Sequence, residues 1–301
     1  MKKAKAKLYR FFFAPALPYP LAAMRVGIAA VLLAQALSVS PVYFELYGTQ
    51  GILQGAVAKV LSPGLPQVLE LVAKMGIPES TALLGLAAIY VFSLSGLLVG
   101  FQTRAMAVLA WAAHLLYAEG HSTSYGADAF ATVFLFYLIW VPSGEAFAVD
   151  AIGKAPVAKN TTRLALRLVQ LQLAIAYFAT GIGKAFTAQW WDGSAIWYSL
   201  MLPVYRQGLP VEWLANVPLL AMTAGWATLL IEVGYPLFIF LPATRRLWVA
   251  LVLSLHLGIG ILLGLHVFAA IMMALSLSLF GVSAENAPAW ERRTVPRPRL
   301  A

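Results

Sequence analysis

Cysteine is absent from the 301 residues. That excludes a disulfide, a thiolate metal site and a cysteine nucleophile. Charge is scarce as well: Asp, Glu, Lys and Arg make up 11% of the chain, against roughly 25% in soluble domains. A chain so poor in charge reads as an integral membrane protein. There are 12 acidic residues against 21 basic ones, a formal net charge of +9. Such an excess could suit a nucleic-acid partner, but the basic residues cluster between hydrophobic runs, as topology signals do, so no nucleic acid is expected. No phosphate loop, dinucleotide fingerprint or G-x-S-x-G elbow occurs, which counts against nucleotide-driven transport and serine hydrolysis. Only four histidines are present, none in an H-E-x-x-H spacing, so no metal centre is expected. Neither an internal repeat nor a soluble domain is visible, and the basic head leads into its first apolar run without a recognisable cleavage site.

What the chain does have is apolar length: 61% of its residues are hydrophobic. A span needs about 20 apolar residues. The pattern predicts an all-α polytopic membrane helix bundle of eight spans, at 21–39, 80–100, 103–119, 126–142, 164–184, 217–241, 246–263 and 266–282. The last two form one apolar block, Leu247 to Gly281. As one helix it would be about 52 Å long, too long for a hydrocarbon core of about 30 Å, so a break is expected near Gly264. Leu65–Met75 has helical apolar spacing and reads as a surface helix.

The charges orient this bundle. With the N-terminus in the cytoplasm, 16 of the 21 basic residues fall on the inside and four (Lys59, Lys74, Lys184 and Arg206) on the outside, with Arg25 in the first span. That bias predicts that both termini are cytoplasmic. The expected organisation is a basic segment 1–20, one membrane domain 21–282 and a disordered polar tail 283–301. The expected location is the cell membrane, which in a bacterium is the inner membrane.

The organising stretch is Tyr177–Gly193, YFATGIGKAFTAQWWDG. Lys184 lies 17 residues beyond Arg167, about 26 Å on a helix, and so reaches the outer interface. It reads either as a snorkelling anchor or as a partly desolvated amine that can act as a base. His121 lies on the same side, in EGHSTSYGADAF, either as a solvated loop histidine or as part of a site with Tyr125 and Asp128. His114, seven residues earlier, shares its helical face. Trp190 and Trp191 suit an interfacial belt. Counted about 21 Å in from Pro218, Glu232 falls in the inner third. There it reads as the ion-pair partner of Arg25 or as a proton relay. His256, near the midplane, reads as a buried histidine tying helices together. A proton-coupled carrier using Glu232 and His256 is a third functional class, ranked below the two that follow.

HSTSYG at His121–Gly126, Y-F-x-x-G-x-x-K with W-x-x-G at Tyr177–Gly193, LLIEVGYPLFIF at Leu229–Phe240 and SLHLGIGILLGLHVFAAIMM at Ser254–Met273 come in one order. Together they resemble the horizontally transferred transmembrane domain family, which includes vitamin K-dependent γ-carboxylase. The resemblance covers roughly residues 20–282. It implies a lysine base at Lys184 and an electrostatic partner at His121. It also implies a reduced vitamin K or menaquinol-type quinol that reacts with oxygen to give the strong base for adding carbon dioxide to a glutamyl side chain. Tyr125, Asp128, Tyr177, Trp190, Trp191, Asp192 and His256 are the expected substrate-binding set. Gly183 stands where the carboxylase has a second lysine, and no large region follows the last span, which points away from protein-substrate carboxylation. Short relatives that mature secreted peptides supply the alternative: a non-enzymatic maturation or immunity factor for a secreted peptide. The expected partners are the lipid bilayer and a quinol-type lipid or such a peptide.

Overall fold

The computed structural model describes residues 2–49, 64–118, 125–205 and 212–285. It is all-α, with no strand among the described residues beyond an isolated antiparallel bridge between Ala16 and Lys159. The helices are α1 (Lys2–Phe13), α2 (Tyr19–Val39), α3 (Tyr43–Tyr47), α4 (Gly64–Lys74), α5 (Glu79–Val99) and α6 (Thr103–Ala118). They continue with α7 (Gly126–Trp140), α8 (Asn160–Ala185), α9 (Ser194–Met201), α10 (Pro218–Phe238), α11 (Arg245–Leu263) and α12 (His266–Ser276), which runs on through a π turn at Leu277–Gly281. Every predicted apolar segment falls on one of these helices. Five of them, those beginning at Tyr19, Glu79, Asn160, Pro218 and Arg245, are long and apolar enough to cross a membrane.

The chain forms two compact units, residues 21–157 and residues 1–20 with 158–301. Each has an apolar core, while other large apolar side chains such as Phe92, Trp140, Ile175 and Leu230 stay exposed. Large exposed apolar side chains in such number suit a lipid-facing surface. The long terminal block breaks where expected: Gly264 sits at φ +68°, a left-handed conformation that glycine adopts freely and that ends α11.

The first unit is knotted around Arg25, whose side chain is fully buried. Its guanidinium donates to the carbonyls of Leu97, Leu98, Ser143, Ala146 and Phe147. Beside it, the Asp150 carboxylate accepts from the N–H of Gln102 (2.9 Å), the N–H of Thr103 (2.8 Å) and the hydroxyl of Thr103 (2.7 Å), capping the start of α6. Burial pushes the Asp150 pKa up, but these hydrogen bonds and the Arg25 charge outweigh it, and the net shift is downward. The expected ion pair between Arg25 and Glu232 is therefore corrected. Arg25 spends its planar donors on backbone carbonyls, and Glu232 has another partner.

Candidate functional site

In the second unit α8 and α10 pack closely, and Gly181 is the reason. A Cβ there would lie 2.8 Å from the Glu232 Cβ and 2.9 Å from the Val233 nitrogen. Tyr177, Gly181 and Lys184 recur at helical spacing and share one face of α8. Opposite them, Glu232 and Tyr235 share a face of α10. The Lys184 Nζ donates to both Glu232 carboxylate oxygens, at 2.6 Å to Oε1 and 2.5 Å to Oε2. The lysine side chain is 26% exposed and the glutamate 9%. Nζ also lies 5.2 Å from the Trp190 ring centroid, within cation–π range.

This pairing revises the depths counted along the helices. The reading from helix ends put Lys184 at the interface and Glu232 far inside, yet they touch. After α8 the chain turns back along α10: a Cβ on Gly225 would meet the Trp190 carbonyl at 2.5 Å, and one on Gly193 the Met222 nitrogen at 2.5 Å. The end of α8 is thus flanked by protein.

One turn further, Tyr177 stacks on Tyr235 with centroids 4.1 Å apart. The Tyr177 hydroxyl shares a 2.7 Å hydrogen bond with His256 Nε2. His256 is buried, and its Nδ1 has no hydrogen-bond partner among the described residues. Tyr235 was not anticipated, although its position three residues after Glu232 gives the signal. Trp191 and Asp192 build the turn. Trp191 Nε1 donates to the Ala185 carbonyl at 2.8 Å, and Asp192 Oδ1 accepts from the Ser194 N–H and hydroxyl. The Ser194 hydrogen bonds hold the exposed Asp192 carboxyl below its usual pKa.

The remaining predicted residues belong to the first unit or to undescribed chain. His121 lies outside the described residues. Asp128 is buried and works locally: its Oδ2 accepts the N–H of the exposed Tyr125 at 3.0 Å, closing the start of α7. Asp128 also borders a cavity of about 230 Å³ with Tyr43, Tyr90, His114 and Tyr117. There the Tyr43 and Tyr117 hydroxyls bond at 2.8 Å, and Tyr90 bonds His114 Nδ1 at 2.9 Å.

No curated protein and no solved structure matches the chain. The family model of the HTTM domain, the horizontally transferred transmembrane domain, matches residues 67–283, which include Lys184, Glu232, Tyr177 and His256. The chain is a multi-pass membrane protein that belongs to the HTTM domain family, related to vitamin K-dependent γ-carboxylase.

Proposed function

We propose that the Lys184–Glu232 pair is a proton-accepting centre and that the protein is a carboxylase-like enzyme acting on a quinol-type lipid. The observation that carries this reading is the pair itself, a primary amine held against a nearly buried carboxylate at 2.5 and 2.6 Å. Glu232 takes a proton from Nζ and leaves the amine lone pair free. The amine then takes the proton of a substrate hydroxyl. The pair goes from neutral to singly positive and leaves a cation beside the anion it has made, which is the electrostatic help such a step needs. Trp190 keeps its π face towards the ammonium.

One buried atom supports a phenolic or quinol ring as the ligand. The support is the buried His256 Nδ1, which has no hydrogen-bond partner among the described residues and could accept from or donate to a ring hydroxyl, next to the aromatic pair of Tyr177 and Tyr235. A reduced quinol, when bound, supplies the electrons for reaction with oxygen and so the strong base for carbon dioxide addition.

The test is turnover in washed membranes given menaquinol, oxygen and bicarbonate, read as quinol epoxide by mass spectrometry. Wild type forms the epoxide. Lys184→Arg, whose guanidinium stays protonated, inserts normally and forms none. Glu232→Gln, which removes the acceptor for the Nζ proton, loses most turnover. Wild-type turnover in Lys184→Arg overturns the base assignment.

We also propose eight crossings with both termini in the cytoplasm, which puts Trp191 and Ser194 on the outer side. The support is the 16-to-4 charge asymmetry. A cysteine at Ser194 should react with an impermeant thiol reagent in intact cells. Labelling only after lysis rejects this topology.

A further inference from the structure

At the Arg163 end of α8 four arginines converge on one cavity of about 430 Å³: Arg163 and Arg167 from α8, Arg245 and Arg246 from α11. Among the described residues lining it, Glu285 alone is acidic. Its side chain is 76% exposed and lies 3.7 Å from Arg163. Four like charges around one hollow repel one another, so the arrangement favours an anion.

The guanidiniums are held in place. Buried Arg163 donates through Nε to the Ala14 carbonyl at 2.9 Å and through an Nη to the Pro15 carbonyl at 3.2 Å. Arg167 donates to the Phe11 carbonyl at 3.1 Å and to Gln170 Oε1 at 2.7 Å, with its guanidinium 4.1 Å over the Phe11 ring. Gln170 is itself fixed by its bond to the Leu279 carbonyl at 2.6 Å. Arg245 donates to the Ile239 and Phe240 carbonyls. A guanidinium has five N–H donors, and each of these three keeps some in reserve after its carbonyl contacts. Arg246 is exposed and adds a fourth donor fork.

Two further features identify the anion. The cavity lies in the first turns of α8 and α11, both helices long and apolar enough to cross a membrane, so it sits at the end of two spans rather than on a soluble surface. Apolar lining lies beside the arginines at Leu166, Val249, Leu279 and Phe280, with Gln170, Ser283 and Glu285 completing the polar part. A basic rim over an apolar wall matches an amphiphile with a phosphate head and acyl chains.

We propose that this cavity binds the headgroup of an anionic phospholipid, with the phosphate on the four arginines and the chains along the α8 and α11 surfaces. The proposal does not depend on the Lys184 chemistry.

The test uses the full-length protein in detergent, titrated separately with dioleoyl phosphatidylglycerol, dioleoyl phosphatidylethanolamine and inorganic phosphate. Native mass spectrometry reads bound lipid, and thermal unfolding reads stabilisation. Phosphatidylglycerol should bind and raise the unfolding temperature, and phosphatidylethanolamine should do so far less. Arg246→Gln, at an exposed position, should weaken phosphatidylglycerol binding roughly fivefold, and Arg163→Gln with Arg246→Gln roughly 25-fold. Arg104→Gln, an exposed arginine of the other unit, should leave binding unchanged. If the double variant does not fold, the Arg246→Gln titration decides alone. Equal binding by Arg246→Gln and wild type overturns the site. Equal binding of the two lipids overturns the anionic headgroup, and matching stabilisation by inorganic phosphate overturns the lipid source.

Discussion

Removing one partner of the Lys184–Glu232 pair should cost very different amounts depending on which partner goes. Breaking a buried pair typically costs about 3–5 kcal/mol, because a charge is left uncompensated. The structure divides that cost unequally. In Lys184→Met the stranded carboxylate is Glu232, only 9% exposed, on the face of α10 that α8 approaches closely at Gly181. The full cost applies, about 3–5 kcal/mol. In Glu232→Gln the stranded group is Lys184, 26% exposed and near the end of α8. Its four-carbon stem can swing the ammonium outward, and the glutamine still accepts a hydrogen bond, so the loss should be about 1–2 kcal/mol. Lys184→Met combined with Glu232→Gln removes both charges and should be more stable than Lys184→Met alone, with a coupling of about 2 kcal/mol. Equilibrium unfolding in mixed micelles, followed by tryptophan fluorescence, measures all four proteins. Equal losses for the two single variants would refute the assigned burial, and a double variant equal to their sum would refute the pairing itself.

Gly181→Ala should destabilise by about 1–3 kcal/mol, since the new Cβ meets the Val233 backbone nitrogen at 2.9 Å and α8 must move off α10; the same unfolding assay checks it. Asp150 carries the pH prediction. Its pKa is depressed in the folded state, so its stabilising effect is fully present above the unfolded value of about 3.9 and is lost as pH falls through the lower folded value. Wild type should therefore lose stability relative to Asp150→Asn only below about pH 4, and a gap that narrows already between pH 7 and pH 5 would contradict the capping role.

The positions of the helices were legible because apolar length and charge placement are written locally. The break at Gly264 followed from length alone, as the block from Leu247 to Gly281 is too long for one crossing. The site was only partly legible. Counting rise per residue from the helix ends assumes that a helix ends where the membrane does. The chain after Ala185 instead folds back against Met222 and Gly225 of α10, so the count separated two side chains that bond to each other. The spacing of Tyr177, Gly181 and Lys184 carried the missing information, since a glycine between two functional residues on one face marks where a neighbouring helix comes close. Arg25 was misassigned for a different reason. A buried cation suggests an acidic partner, but five backbone carbonyls compensate this one.

The carbonyl cage around Arg25 has a consequence for biogenesis. Arg25 sits near the start of α2, but the carbonyls of Ser143, Ala146 and Phe147 lie 118, 121 and 122 residues downstream. At a synthesis rate of about 5–20 residues per second, the nascent chain waits roughly 6–24 s before that part of the cage exists. During that interval the Arg25 guanidinium, about 9 Å along α2 from its first residue, has at most the Leu97 and Leu98 carbonyls of its cage, 72 and 73 residues downstream. The packing around α2 is thus complete only once the segment after α7 has been made. One early side chain in this way makes the settling of α2 wait on carbonyls synthesised far later.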